Sequence, residues 1–242
     1  MFKASVGQVE GIDTLDVIQK VIKQAKEKLG QVTPQAGILF TGIEFDHQLI
    51  LNELQNDLPG LDLIGCTTAG NFTSDFKFSE FSISLLLFYS DDIEIKIGLG
   101  QNVRENPQEA VKTALEAARK KLKSDEKLCF FFPDGAATES NQLLTALESS
   151  LNPKCQTFGG CSARHGAFNT PPKQFFKQQV VQNSLPLMLI AGDIEHAFSV
   201  SHSWTPLGKI QNITTGKGKE LEKIGDTKAL DYFKNYLGAH NL

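Results

Sequence analysis

The chain repeats itself once, and a repeat at a fixed step limits the available folds more sharply than any single motif. Asp13 precedes a helical pattern of apolar residues, Leu15, Ile18, Val21, Ile22, Ala25 and Leu29; Asn106-Pro107 precedes another, Ala110, Val111, Ala114, Leu115, Ala118 and Leu122. Each starts on a side-chain acceptor suited to an N-cap, and the second adds Pro107 at N1 and Glu109 at N3. After each helix comes a short apolar run ending in glycine, Gly37 to Gly42 and Phe130 to Gly135, which reads as a buried strand. A further helix follows, with Ile50, Leu51, Leu54 and Leu58 answered by Leu143, Leu144, Leu147 and Leu151. The same 93-residue step separates Asp13 from Asn106, Gly42 from Gly135 and Ile50 from Leu143.

Beyond these elements each half carries a glycine turn with a cysteine, Leu63 to Gly70 and Thr157 to Arg164, with Cys66 and Cys161 now 95 residues apart. Two strands are then expected in each half: Phe81 to Tyr89 with Ile93 to Leu99, and Leu185 to Ala191 with Ile194 to Val200. Asp92 and Asp193 stand 101 apart, so the second half holds an insertion, whose Phe168-Asn169-Thr170-Pro171-Pro172 has the composition of a loop. The expected fold is α/β, built of internally duplicated α-β-α-β-β-β units whose mixed sheets are related by a pseudo-twofold axis. The repeats fall at about 7–104 and about 105–204, the last two strands of each join as a hairpin, and the cysteine turns face a shared cleft.

With 242 residues the chain can bury a large core, and its 17 Phe against one Trp and three Tyr put the aromatic weight inside. A net charge of -4 and a pI near 5.8 supply no basic face for nucleic acid. No stretch approaches the roughly 20 apolar residues that cross a bilayer, and Met1-Phe2-Lys3-Ala4-Ser5 lacks the apolar run of a secretory signal. The four cysteines form no CxxC pair, which argues against a structural metal and for reduced thiols in the cytoplasm; Cys129 reads as a small buried hydrophobe. There is no P-loop, no GxGxxG after a strand and no HExxH, so neither a cofactor nor a catalytic metal is expected.

Four ordered motifs, Ile64-Gly65-Cys66-Thr67-Thr68-Ala69-Gly70, Asp134-Gly135, Gly159-Gly160-Cys161-Ser162-Ala163 and His202-Ser203-Trp204-Thr205-Pro206-Leu207-Gly208, resemble those of the FIST N-terminal domain. The resemblance covers about Gly7 to Gly208 and assigns 1–208 to that domain. Residues 209–242, with a hairpin around Gly216-Lys217-Gly218 and a short helix after Asp226-Thr227, are similar to the opening of a FIST C-terminal domain. A full C-terminal domain is far longer, so the layout departs from the usual pair. The resemblance implies a sensory role in signal transduction, a small ligand such as an amino acid or related anion, and a separate signalling partner protein.

The residue types suggest where such a ligand would sit. Around Cys66 the chain offers a thiol, the Thr67 and Thr68 hydroxyls, and N–H groups freed by glycine, a set suited to a carboxylate or phosphate. Small residues that merely let a strand end turn sharply explain the same pattern. Gly160 and Cys161 precede Ser162 and Arg164, whose cation could lower the thiol pKa; a packed thiol beneath a glycine turn is the plainer account. Asp134-Gly135 ends a strand, where open sheets bind ligands, or else Asp134 fixes a turn. His202 and Trp204 share a face and could wall a pocket. His47, His196 and His240 read as surface side chains, and the basic stretches from Lys20 to Lys28 and Arg119 to Lys121 as solvated helix faces. The alternative from another class is a thiol-dependent enzyme with Cys161 or Cys66 as nucleophile, since the element order resembles a thiolase-like layered arrangement, with His165 and His202 as candidate bases. A pocketless interaction module is the third reading.

Overall fold

Asp13 caps helix α1 (Thr14–Leu29) by accepting the Asp16 backbone N–H at 2.8 Å, and Asn106 caps α3 (Pro107–Arg119) by accepting that of Glu109 at 3.2 Å. Their apolar periodicity becomes one buried face each: Val17, Ile18, Val21, Ile22, Ala25 and Leu29 on α1, and Ala110, Val111, Ala114, Leu115 and Ala118 on α3. The computed structural model describes every residue except 136–139, 167–169, 198, 202–203, 207, 218–219 and 239–242, and the side chains of residues 140 and 236. The described residues form two units, Met1–Glu195 and His196–Leu242.

In the first unit a strand opens each half ahead of its helix, β1 (Phe2–Glu10) before α1 and β7 (Glu94–Gln101) before α3. The first half continues β2 (Ala36–Thr41), α2 (His47–Asp57), β3 (Asp62–Thr67), β4 (Asn71–Thr73), β5 (Phe76–Ser79) and β6 (Ser82–Ser90). The second continues β8 (Glu126–Phe131), α4 (Ser140–Ser150), β9 (Gln156–Gly159), β10 (Gln174–Phe176), β11 (Gln179–Val181) and β12 (Ser184–Ala191). One mixed sheet runs β1-β6-β2-β3-β10-β11 and the other β7-β12-β8-β9, so the first four positions of each sheet follow the same order: opening strand, closing strand, then the two parallel strands.

Two expectations are corrected here. The run Ile93 to Leu99 does not form a hairpin with Phe81 to Tyr89, because β1 and β2 already occupy both edges of β6; β7 instead pairs with β12 in the second sheet. The described residues of 194–200 carry no strand, because β12 is likewise flanked on both edges, by β7 and β8. Each half is therefore β-α-β-α-β followed by a small hairpin and a closing strand, not α-β-α-β-β-β. The glycine registers also differ from the cysteine count. Leu39 faces Gly65 across β2 and β3, and Phe131 faces Gly159 across β8 and β9, which matches Cys66 with Gly160 rather than with Cys161.

The sheets lie face to face with helices outside. Helices α1 and α2 cover the first sheet through Val21, Ile22, Leu51, Leu39, Leu85 and Phe175, among others; α3 and α4 cover the second through Val111, Leu115, Cys129, Leu147 and Leu187. Between the sheets lie Ile38, Ile64, Cys66, Phe88, Ile95, Ile97, Met188 and Ile190. Strand β1 supplies no buried side chain to this middle layer, so the inner face at the β1 edge is left uncovered. On the outer faces the helices approach closely over glycine: a Cβ on Gly7 would lie 2.4 Å from the Val21 carbonyl oxygen, and one on Gly98 only 1.9 Å from that of Ala114.

His47 is not a surface residue. It is 3 % exposed, at the start of α2, with Nε2 3.0 Å from the Gly42 carbonyl oxygen and Nδ1 3.3 Å from Lys173 Nζ, and its ring lies 5.4 Å from that of Phe175. This geometry suits the neutral tautomer, Nε2–H donating to Gly42 and Nδ1 accepting from the ammonium. Burial holds its pKa below the usual histidine value of 6.5, and the charge of Lys173 pushes the same way, against the Gly42 carbonyl and Asp46.

In the second unit β13 (Ile213–Lys217) and β14 (Glu220–Ile224) form the expected antiparallel hairpin, β15 (Thr227–Lys228) pairs with β14, and α5 (Ala229–Leu237) follows.

Adding a methyl group at Gly98 forces backbone to shift, so Gly98→Ala should lower unfolding stability in urea by about 1–3 kcal/mol. Gly160→Ala, where nothing lies within 4 Å of the added carbon, should leave the midpoint unchanged. The unfolded chain takes up a proton at His47 more readily than the folded one, so stability is full above about pH 6.5 and is lost as pH falls through the lower folded-state pKa. Melting curves between about pH 7.5 and 5.5 should show this fall in the wild type and a shallower one in His47→Gln.

Candidate functional site

Strands β1, β2 and β3 run in the same direction, so their carboxyl ends share one edge of the first sheet. The segment after β9 crosses to that edge. Gly160 and Ser162 donate backbone N–H groups to Phe131 and Pro133 oxygens at 3.3 and 2.8 Å, and Ala163 donates to the Thr67 carbonyl at 2.8 Å. At the far end Thr67 N–H donates to the Lys173 carbonyl at 2.9 Å, and the Thr67 hydroxyl accepts the Lys173 N–H at 3.0 Å.

This seam gathers most of the residues singled out from sequence, and it uses them for bracing. Ser162 is buried, its hydroxyl accepting from Gln174 Nε2 at 2.8 Å and from Gly135 N–H at 3.2 Å. Asp134 is buried and accepts the Asn183 N–H at 2.9 Å, the turn-fixing role. A Cβ on Gly135 would stand 3.0 Å from that of Cys161, so Asp134, Gly135, Gly160, Cys161, Ser162 and Thr67 lie along one line of contact. Arg164 donates from Nη1 to the Thr170 carbonyl. His165 sits 3.1 Å from Glu80. Cys66 is sealed in the middle layer, and burial, with Cys161 adding to it, pushes its thiol pKa up, the opposite of what a nucleophile requires. Cys161 is exposed. Trp204 belongs to the second unit and is largely exposed, and His202 lies outside the described residues.

Thr68 does more than brace. Its N–H donates to the Thr41 carbonyl at 2.9 Å and its hydroxyl to Asn71 Oδ1 at 2.6 Å, while Asn71 Nδ2 donates to the Ser82 carbonyl at 3.0 Å. These bonds fold the β4–β5 hairpin back over the uncovered inner face of the first sheet. Gln8 Nε2 reaches the carbonyls of Asn71 and Lys77 from β1 at 3.2 and 3.4 Å, and Lys28 pairs with Asp75 at 2.6 Å. Between hairpin and sheet remains a cavity of about 410 Å³, floored by Val6, Ile38, Phe40 and Leu86, with Thr68, Asn71 and Ser84 as its inner polar groups and Phe72 at its mouth. Ser84 is 5 % exposed, and its hydroxyl has no hydrogen-bond partner. A second hollow of about 610 Å³ lies beside the loops after β1 and β2, lined by Glu10, Gly11, Ile12, Glu44, Phe45 and Phe81, with no such orphaned buried group.

Of the residues lining the first cavity, sequence reading found only Thr68 and Gly70, both in the Cys66 turn. The alternation Ser82, Ser84, Leu86 against Ile83, Leu85, Leu87 was the available signal, since it puts hydroxyls on one face of a strand buried on both. Among the described residues no group of three or more His, Cys, Asp or Glu could hold a metal ion, and no helix is long and apolar enough to cross a membrane.

The chain is similar to the uncharacterized protein MJ1623 of Methanocaldococcus jannaschii, 22% identical over 197 residues; the match covers 79% of this chain and 38% of that protein, so the chain spans well under half of its relative. Among solved structures it is similar to a cyanuric acid hydrolase from A. caulinodans, with a TM-score of 0.42 and 8% identity over 79% of this chain and 71% of that one. It is also similar to an FtsZ mutant from M. jannaschii, with a TM-score of 0.26 and 17% identity over 42% and 28% of the two chains. The family model of the FIST N domain matches residues 35–227, from just before β2 through the β13–β14 hairpin of the second unit to the start of β15. By that match over most of its length, this chain belongs to the FIST family, a family of sensory domains in signal transduction.

Proposed function

We propose that the chain is the small-molecule-binding module of a cytoplasmic sensory protein, and that it holds its ligand in the cavity beneath the β4–β5 hairpin. The observation that carries this reading is the Ser84 hydroxyl, buried without a partner on the wall of an uncharged hollow of about 410 Å³ with an apolar floor. A buried polar group left unpaired costs about 1–3 kcal/mol, and a ligand that pairs with it recovers that cost on binding. The volume falls within the range of small-molecule sites.

The seam of Thr67, Asp134, Gly135, Gly160, Cys161 and Ser162 supports this site by fixing the edge from which the hairpin departs. Thr68 joins the two, since it sits one residue beyond the seam and bonds to Asn71 in the hairpin. The halves descend from one duplicated unit about an approximate twofold axis, a reading supported by the shared strand order of the two sheets. The signal passes to a separate partner protein through the hairpin, the element a ligand would press against. Of the two nucleophiles that the thiol-enzyme reading names, Cys66 is disfavoured by its burial and the raised pKa of its thiol.

Thermal-shift measurements against neutral, zwitterionic and anionic small molecules should reveal at least one that raises the melting temperature. At a free concentration about a hundredfold above Kd the stabilisation is about 2.7 kcal/mol. An unchanged melting temperature across all three groups would overturn the sensor reading.

A further inference from the structure

Resting on that sensor reading, the cavity's chemistry narrows what it can hold. We infer that the ligand is an uncharged, mostly apolar small molecule carrying one hydroxyl or carbonyl group, rather than an amino acid or an anion.

Three observations carry this. None of the residues lining the cavity is ionisable, although charged residues make up 21% of the chain. A carboxylate or ammonium entering it would lose its water and find no opposite charge, a cost that apolar contact does not offset. Secondly, of the two buried polar side chains in the lining, Asn71 is already engaged, accepting from Thr68 and donating to Ser82, while Thr73 and Ser74 lie at the more exposed turn of the hairpin. The Ser84 hydroxyl therefore offers a single deep position for a hydrogen bond, as donor to a carbonyl or as either partner to a hydroxyl. Thirdly, the floor of Val6, Ile38, Phe40 and Leu86 is apolar, and Phe72 at the mouth is 77 % exposed, so an apolar body gains by covering both. The hollow beside Glu10 and Glu44 has carboxylates at its rim and would favour a cation, so the two sites differ in charge preference.

The test uses four probes of one shape, benzyl alcohol, toluene, benzoate and benzylamine, titrated into the full chain and followed by amide NMR shifts. Benzyl alcohol should bind saturably, with shifts centred on Phe40, Ser84 and Leu86, and at least about tenfold more tightly than benzoate or benzylamine. Ser84→Ala should weaken benzyl alcohol by about tenfold and leave toluene unchanged. Leu86→Trp fills the cavity and should abolish binding of both; Val6→Trp, on the edge strand, serves the same end should Leu86→Trp unfold, as checked by circular dichroism. Equal or tighter binding of benzoate or benzylamine at these amides overturns the ligand class and leaves the sensor reading standing, as does binding there by amino acids alone. Failure of every compound, charged or neutral, to shift these amides overturns both, as does self-association of the chain through this face that Leu86→Trp abolishes.

Discussion

The arrangement depends on one strand pairing made across the halves of the chain. Strand β10, from the second half, adds to the free edge of β3 in the first, with Gln174 opposite Cys66, Phe175 opposite Gly65 and Phe176 opposite Ile64. Unpaired, β3 would present a row of backbone donors and acceptors at the edge of a sheet. The pairing instead completes a six-stranded sheet and carries Phe175, fully buried, into the core beneath α1 and α2. Much of the seam follows from it. Thr67 is locked to Lys173, Lys173 is placed against His47, and Gln174 reaches Ser162. Residues far apart in sequence converge because one short strand leaves its own sheet's neighbourhood and joins the other.

That exchange also explains how far the sequence could be read. Helices α1 and α3 announce themselves through caps and periodicity, which are local, and they form where expected. Strand β1 carries a weak signal, since Phe2–Glu10 mixes Lys3, Ser5, Gln8 and Glu10 with its apolar residues. Strand β7 has a clear alternation, but alternation does not name a partner, and proximity in sequence suggested the wrong one. The cysteines misled in a related way: they invite alignment of Cys66 with Cys161, whereas strand register matches the glycines that precede them, leaving Cys66 sealed and Cys161 exposed. His47 looked solvated beside Asp46 and Gln48, and only the arrival of Lys173 and Phe175 buries it.

The location of the cavity has the same origin. The first sheet is two strands wider than the second, and the middle layer draws on β2, β3 and β6 but not on β1. The inner face at β1 and β6 is thus left to the β4–β5 hairpin, a cover too short to fill it. Sequence reading reached Thr68 at the root of that hairpin, but not Ser84 or Phe40, whose role appears only once the hairpin folds back.

How the hairpin is held decides what a ligand could do to it. The Lys28–Asp75 pair is exposed to water and screened, so it contributes little. The buried bonds are concentrated at the root, where Gln8, Thr68, Asn71 and Ser82 form one network, while Phe72, beyond it, is mostly in solvent. The root is therefore stiff and the outer part is held by few contacts, the distribution expected of a segment that can shift without unfolding the sheet beneath it. A ligand seated against Ser84 and covered by Phe72 would bind the closed position of the hairpin better than an open one. That differential contact is what allows occupancy of a small cavity to change the surface a partner protein meets.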